Sequence, residues 1–152
     1  MTIESVVSSQ HHFFDTNTTK DLSFRRESLE KLLEAIEENK DAVYQALKAD
    51  LGKSEQESYM TEVGLVIRAL RTAIINLHKW TKPIRHKTPI SHFPAKSYVL
   101  REPYGVTLIL APWNYPFFLS MSPLIGAIAA GNCVVLKTSR NSSHTGAVIS
   151  TI

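Results

Sequence analysis

Apolar residues recur along the first half of the chain at the spacing of a helix face. Leu29, Leu33 and Ile36 follow one another at steps of four and three positions, and the rhythm continues as far as Ile74. Glutamates occupy many of the intervening positions. Because they surround the stripe instead of converging, they are typical of a solvated helix face and not of a metal or acid–base site. We therefore predict a helical layer that buries a stripe of Leu29, Leu32, Leu33, Ile36, Val43, Leu47, Leu51, Tyr59, Val63, Val66, Leu70 and Ile74.

The pattern changes in the second half. Two strongly apolar runs, residues 106–110 and 133–136, flank a segment rich in small residues that ends at Gly131, and a glycine commonly terminates a helix. A strand, a helix and a second strand with this composition are typical of a parallel sheet buried on both faces. Ligands of such sheets lie outside the carboxyl ends of the strands. We therefore expect Asn114 and Lys137 to lie at one edge of the sheet, on neighbouring crossovers.

Asn114 stands in a turn between Pro112 and Pro116, directly after the first of these strands. A side-chain amide in that place can donate a hydrogen bond to negative charge that develops on a substrate oxygen. The alternative is that Asn114 caps the helix that follows, because Asn is a favoured N-cap residue. The local pattern by itself favours the cap. The two roles are compatible, and we predict a residue that serves as both.

Two motifs carry a resemblance to a known family. Ala-Pro-Trp-Asn-Tyr-Pro-Phe at 111–117 and Gly-Ala-Ile-Ala-Ala-Gly-Asn-Cys-Val-Val-Leu-Lys at 126–137 resemble the start of the nucleotide-binding domain of aldehyde dehydrogenases. The Tyr after the Asn and the helical first half are most similar to the class 3 branch, which acts on fatty or aromatic aldehydes. The resemblance implies an α/β fold: an N-terminal helical layer plus the first strand-helix-strand of a parallel-sheet dinucleotide-binding domain, truncated.

The resemblance also implies roles for individual residues. Members of the family oxidise an aldehyde to a carboxylic acid with NAD or NADP, through attack of a cysteine thiolate on the carbonyl. Asn114 matches the residue whose amide helps hold the resulting oxyanion, and Lys137 matches the lysine that hydrogen-bonds the adenosine ribose. The implied cofactor-binding residues are Leu110, Ala111, Pro112, Trp113, Lys137, Ser139 and Arg140.

One departure from the family motif bears on the cofactor. The family usually has a glutamate that binds ribose hydroxyls at the position of Arg140. A guanidinium there removes repulsion toward a 2′-phosphate and offers it a bidentate partner, which favours NADP. The alternative is that Arg140 points to solvent and Lys137 alone holds the ribose. The sequence leaves both open.

A larger departure concerns the nucleophile. The single cysteine, Cys133, lies within an apolar strand, where a free thiol behaves as a small buried hydrophobe. The family's nucleophile segment, its general-base glutamate and its glycine turn at the cofactor phosphates have no counterpart in the chain. We therefore expect the N-terminal portion of an enzyme that is inactive in isolation. A competing hypothesis is a non-catalytic truncated subunit that docks onto an intact relative.

Charged residues are distributed unevenly along the chain, and their distribution suggests which surface binds a partner. Residues 1–78 carry 9 Lys and Arg against 13 Asp and Glu, whereas residues 79–152 carry 8 against 1. The basic stretch at 79–101 holds no acid, and a nucleic-acid surface is one interpretation. Its apolar residues favour strands that contact a second subunit, as in a homodimer, and no nucleic acid. We predict helices over 1–84, an extended basic connector over 85–102 and an incomplete dinucleotide-binding domain over 103–152.

Composition is typical of a cytoplasmic protein. One cysteine provides no disulfide framework, which fits a reducing compartment. No apolar run reaches the roughly 18 residues of a membrane span, and the N-terminus lacks the features of a signal peptide. The six histidines have neither metal-ligand spacing nor acidic companions, so no metal is implied.

Overall fold

Six α-helices and four short strands follow one another along residues 2–152, the part of the chain that the computed structural model describes. The helices are α1 (Ile3–Asp15), α2 (Leu22–Leu51), α3 (Glu55–Ser58), α4 (Gly64–Thr81), α5 (Pro116–Ala130) and α6 (Ser143–Ile149). The strands are β1 (Ile84–His86), β2 (Ser97–Val99), β3 (Val106–Leu110) and β4 (Cys133–Lys137). The α/β architecture expected from the sequence, a helical layer followed by a parallel strand-helix-strand unit, is confirmed.

A side-chain cap and a glycine set the two ends of the long helix α2. The carboxylate of Asp21 accepts a hydrogen bond from the Ser23 N–H at 2.7 Å, which caps the first turn. Gly52 ends the helix in the left-handed conformation at φ 70°. Leu29, Ile36 and the other predicted stripe residues of α2 face α4, α5 and α6.

The stripe breaks at one position. Tyr59, which the helical spacing placed in the core, is 52% exposed. Residues Tyr59–Val63 form a π-helical turn, in which the Gly64 N–H donates to the Tyr59 carbonyl five residues earlier. The additional residue in this turn rotates Tyr59 away from the line that Val66 and Leu70 follow, so its burial was wrongly predicted.

Strands β3 and β4 form the predicted parallel pair. Their register runs from Val106 opposite Cys133 to Leu110 opposite Lys137, and α5 is the crossover between them. Gly131 ends α5 at φ 88°, and a β-carbon there would come within 2.5 Å of the guanidinium of buried Arg25. Burial on both faces is not reached within this chain, since Leu110 is among the exposed residues.

Helix α1 lies outside the apolar stripe found in the sequence, and it contacts both strands of the parallel pair. Phe13 of α1 meets Phe24 of α2 with ring centroids 5.9 Å apart. Phe14 lies beside Gly105, immediately before β3. The N-terminal helix therefore contributes to the support of the strands that carry the site.

One cluster of buried side chains spans the helical first half and the strand-helix-strand unit. Leu29 and Leu70 belong to it together with Phe117 and Met121 of α5. Because these residues share one core, the N-terminal layer directly positions the start of α5. The division into segments at 84/85 and 102/103 stays a prediction.

The basic connector is an antiparallel strand pair. Ile84 of β1 lies opposite Val99 of β2, and His86 lies opposite Ser97. Between the strands, Ile90 and Phe93 are largely exposed. Within residues 2–152, the helices are all too short or too polar to cross a lipid bilayer.

Candidate active and cofactor site

The carboxyl ends of β3 and β4 bring the predicted cofactor residues together. Leu110 and Lys137 are register partners, and the Ala111 N–H donates to the Lys137 carbonyl at 3.0 Å. The backbone of residues 110–111 and the backbone of Lys137 therefore lie side by side, at the edge where parallel sheets bind ligands.

Asn114 follows this edge in an exposed turn. Within the part of the chain described, its side chain makes no hydrogen bond, and neighbouring Trp113 and Tyr115 are also exposed. The N-cap position of α5 belongs to Tyr115, and no side chain of the turn caps the helix. The predicted capping role of Asn114 is therefore wrong, and its amide is left available.

Glu62 caps α5 instead. One carboxylate oxygen, Oε2, accepts from the Phe117 N–H at 2.9 Å and from the Phe118 N–H at 3.1 Å. Glu62 lies on the π turn before α4 and is 0% exposed. A negative charge at a helix N-terminus is favourable because it meets unpaired amides and the positive end of the helix dipole.

Lys53 completes this arrangement. Its ammonium lies 2.6 Å from Glu62 Oε1 and 4.2 Å from the centroid of the Tyr115 ring, and the residue is only 8% exposed. Sequence reasoning missed both charged residues. The available signal was spacing: Glu62 is four residues before Val66 and eight before Leu70, so it continues their buried line.

A second carboxylate caps α6 in the same way. Asp50 Oδ2 accepts from the Thr145 N–H at 2.7 Å and from the Thr145 hydroxyl at 2.8 Å, while Oδ1 accepts from the His144 N–H at 3.2 Å. Burial raises the pKa of Asp50, but the hydrogen bonds from Thr145 and His144 outweigh it and hold that pKa below its usual value. Asn141 and Ser142 precede α6 and belong to the residue types favoured at an N-cap, but they make no such bond.

The two capping carboxylates limit where a dinucleotide can lie. In many dinucleotide-binding folds, the helix after the first strand binds the pyrophosphate with its free N-terminal amides. In this chain Glu62 and Asp50 already occupy the N-termini of α5 and α6. Phosphate binding at these two helices would place like charges together, so the strand ends remain the candidate cofactor contacts within residues 2–152.

The segment after β4 provides donors that suit a nucleotide ribose. Lys137 and Arg140 are exposed, and neither forms an ion pair within residues 2–152. The Ser139 hydroxyl oxygen accepts from the Asn141 N–H at 3.2 Å, which leaves its O–H able to donate. A flexible ammonium, a hydroxyl and a guanidinium beside a backbone edge fit a polyhydroxylated, anionic ligand.

Cys133 has the structural role expected for it. The residue is buried at the start of β4, and its N–H donates to the Gly105 carbonyl at 2.9 Å. Burial raises the pKa of its thiol, so the nucleophilic thiolate is disfavoured. Across residues 2–152, no group of three or more His, Cys, Asp or Glu side chains converges as metal ligands would.

An apolar groove of about 560 Å³ runs between α4 and α5. Leu65 and Trp80 line it from α4, and Phe118 and Ile125 line it from α5. Phe118 stands four residues after Asn114, so the groove begins at the first turn of the helix that the Asn114 turn precedes.

Comparison with known proteins establishes the family. The family model described as aldehyde dehydrogenase family matches residues 1–152, and the chain belongs to that family.

The similar sequences include family 3 members. The chain is 47% identical over 137 residues to 4,4'-diaponeurosporen-aldehyde dehydrogenase of Staphylococcus aureus, a match that covers 90% of this chain and 30% of that protein. It is 40% identical to aldehyde dehydrogenase family 3 member F1 of Arabidopsis thaliana, over 97% of this chain and 31% of that one. The chain thus spans about a third of the length of these relatives.

Solved structures agree with the fold. The substrate-bound state of Staphylococcus aureus AldH superposes with a TM-score of 0.96 at 45% identity, over 98% of this chain and 32% of that one. Succinic semialdehyde dehydrogenase of Streptococcus pyogenes, solved in complex with NADP+, has a TM-score of 0.85 at 20% identity over the same shares. Because its identity is only 20%, the match to the streptococcal enzyme supports the fold alone.

Proposed function

We propose that this segment supplies the oxyanion donor and part of the cofactor site of an enzyme that oxidises an aldehyde to a carboxylic acid. One observation carries the proposal. Within residues 2–152, Asn114 presents an exposed amide without a hydrogen-bond partner four residues after the end of β3, and that end pairs with the strand end that bears Lys137. This combination suits a reacting carbonyl oxygen on one side and a nucleotide on the other.

The chemistry assigned to the chain is binding and electrostatic stabilisation. When a thiolate adds to the aldehyde, negative charge develops on the carbonyl oxygen, and the Asn114 NH₂ donates a hydrogen bond to it. A bound NAD or NADP would supply the hydride acceptor. Lys137 and Ser139 would donate to its ribose hydroxyls, while the backbone of residues 110–113 would lie along it.

The thiolate and the general base would come from outside these 152 residues. Cys133 is buried in a strand with a raised thiol pKa, so it is no substitute. We therefore propose that the chain alone does not oxidise aldehydes. Turnover of an aldehyde with NAD or NADP by purified 1–152 would refute this.

The proposed substrate is an aldehyde with a long apolar tail. The groove between α4 and α5 is lined mainly by apolar side chains and starts beside Phe118. The staphylococcal relative is named for a diaponeurosporen aldehyde, which fits an apolar substrate. An elongated apolar ligand would gain about 25 cal/mol for each Å² that it buries there.

The cofactor proposal extends to a preference for NADP. Arg140 is exposed and leads the 3₁₀ turn that follows the Lys137 strand end. Its side chain is available for a 2′-phosphate, with solvent as the alternative environment.

The decisive experiment needs an intact enzyme. This chain can replace the matching N-terminal segment of the staphylococcal relative, with which it shares 47% of 137 residues; the product is called the chimeric dehydrogenase below. Asn114→Ala in it should lower kcat by about 10²–10³ and change KM little. Asn76→Ala, on α4, is the matched control. An unchanged kcat in the Asn114 variant would refute the oxyanion role.

A second candidate function rests on the connector. Ile90 and Phe93 are exposed between the two strands of the basic connector, which suits an interface with another subunit. We propose a cytoplasmic homodimer through β1 and β2 in the intact enzyme.

A truncated chain could use the same surface to dock onto an intact relative as a non-catalytic subunit. Sedimentation and co-purification test these assemblies, and tight DNA binding at moderate salt would instead favour a nucleic-acid partner.

A further inference from the structure

We propose that Lys53 and Glu62 are positioning residues for Asn114: they hold the backbone of its turn so that the amide keeps a fixed direction. The inference rests on the oxyanion role proposed above. Both residues are buried, Lys53 against the Tyr115 ring and Glu62 against the first amides of α5, so we assign them no contact with substrate. Their effect on catalysis would therefore pass through Asn114.

Glu62 holds the chain just after the turn. Pro116, the first residue of α5, has no N–H, so the first amides in need of a partner are those of Phe117 and Phe118. Glu62 Oε2 accepts from both, at 2.9 and 3.1 Å. The carboxylate thereby ties the first turn of α5, three and four residues after Asn114, to the N-terminal layer.

Lys53 holds the same region from a second direction. Its ammonium engages the other oxygen of Glu62 at 2.6 Å, which restricts rotation of the carboxylate. The same ammonium lies against the Tyr115 ring, 4.2 Å from its centroid. Residues on the C-terminal side of Asn114 are thus fixed at three points, while Pro112 limits the backbone on the other side. The amide of Asn114 remains the free group of a restrained turn.

The placement of Glu62 depends on the π turn Tyr59–Val63. Gly64 donates its N–H to the Tyr59 carbonyl, and a β-carbon on Gly64 would lie 2.8 Å from that carbonyl oxygen. Glycine therefore permits the wide turn. The turn sends Tyr59 to solvent and leaves Glu62 in line with buried Val66, directed at α5. Single π turns of this kind frequently occur at functional sites.

A gain in folding stability does not by itself account for the Lys53–Glu62 ion pair. Desolvation of two charges offsets most of their attraction, so a buried ion pair is often no more stable than apolar residues of the same volume. A carboxylate that accepts from two backbone amides and an ammonium, however, specifies one geometry. That specificity is what an oxyanion donor requires, because an error of about 1 Å in placement can cost 10²-fold in rate.

The test is a cycle of variants in the chimeric dehydrogenase. Lys53→Met with Glu62→Gln removes both charges and leaves no buried ion unpaired. We expect kcat to fall by about 10- to 100-fold with KM within about twofold. Combined with Asn114→Ala, the pair of substitutions should lower kcat no further, because the group that it positions is gone. Lys48→Met with Glu57→Gln repeats the chemistry at exposed positions and should leave kcat unchanged.

The outcomes separate the two proposals. If the Lys53 and Glu62 substitutions lower kcat as much in the Asn114→Ala background as in its absence, the positioning role is wrong and the oxyanion role stands. If the Lys53 and Glu62 substitutions leave kcat unchanged while Asn114→Ala lowers it, the positioning role is also wrong. If Asn114→Ala has no effect on kcat, the proposed function fails, and this inference fails with it.

A measurement without substitutions covers the case in which the double variant does not fold. In the unmodified chimeric dehydrogenase, hydrogen exchange at the Phe117 and Phe118 amides should be strongly protected, although first-turn amides ordinarily exchange fast. The Ile3 and Glu4 amides, in the first turn of α1, are the internal reference; the Ser5 amide is excluded because the Thr2 hydroxyl caps it. Exchange at Phe117 and Phe118 as fast as in α1 would overturn the proposal.

Discussion

Asp50 and Thr145 lie 95 positions apart in the chain, yet one carboxylate oxygen of Asp50 accepts hydrogen bonds from both the backbone N–H and the hydroxyl of Thr145. The contact joins the end of α2 to the start of α6. It therefore links the N-terminal layer to the helix that follows the Lys137–Arg140 segment, where the proposed cofactor residues lie.

Replacement of Asp50 by Ala should lower the free energy of unfolding by about 1–3 kcal/mol, because the amide and hydroxyl of Thr145 lose their partner in a partly buried place. Urea denaturation followed by circular dichroism measures the effect. Asp41→Ala, at an exposed position of the same helix, should change stability by no more than about 0.5 kcal/mol. Equal losses in the two variants would contradict the capping role.

Asp50 should also make stability depend on pH in the acid range. Its pKa in the folded chain lies below the usual value, so the unfolded chain binds a proton at higher pH than the folded chain does. The stabilisation is therefore complete above the unfolded pKa of about 4 and is lost as the pH falls through the lower folded pKa. Asp50→Asn should lose less stability between pH 6 and pH 3 than the parent. Identical pH profiles would count against this assignment.

Gly64→Ala should destabilise the chain by about 1–3 kcal/mol, since the new methyl group meets the Tyr59 carbonyl and must shift the π turn. This reverses the usual effect of the substitution within a helix, a gain of about 0.5–1 kcal/mol. Gly126→Ala in α5 is the control, because a β-carbon there meets nothing within 4 Å. The two variants should move the urea midpoint in opposite directions.

Arg140→Glu in the chimeric dehydrogenase should reduce the preference for NADP over NAD by about 10- to 100-fold. A charge-assisted hydrogen bond contributes about 1.5–3 kcal/mol, and each 1.4 kcal/mol is a factor of about ten in affinity. The ratio of kcat/KM with the two cofactors measures the change. Lys40→Glu makes the same charge reversal on α2. An unchanged ratio in the Arg140 variant would show that this side chain points to solvent.

Local chemistry accounts for what could be predicted. The bounds of β3, Val106–Leu110, and the end of α5 at Gly131 follow from apolar runs and from the need for a left-handed residue. The exposure of Asn114 and the pairing of its strand end with Lys137 follow from the strand-helix-strand pattern. These features are encoded within a few residues of where they occur.

The errors share a different cause. Asn114 was expected to cap α5, yet Tyr115 occupies the N-cap position, and the amides to be capped bond to Glu62, 55 positions before Phe117. Asn141 and Ser142, next to α6, are of types favoured at an N-cap, yet distant Asp50 caps that helix instead. Local spacing identifies an unsatisfied helix end, but it does not reveal which distant carboxylate will reach it.

The sequence by itself determined the class of fold and the membership in the aldehyde dehydrogenase family, and it predicted which residues face a ligand, because periodicity and motif are properties of neighbouring positions. Only the tertiary structure decided what holds those residues in place. Glu62 and Lys53 reach from the helical layer to the start of α5, and Asp50 reaches from it to α6. A buried charge is stable only where it has an ion-pair or hydrogen-bond partner. Here those partners come from other segments, which approach one another only in the folded chain.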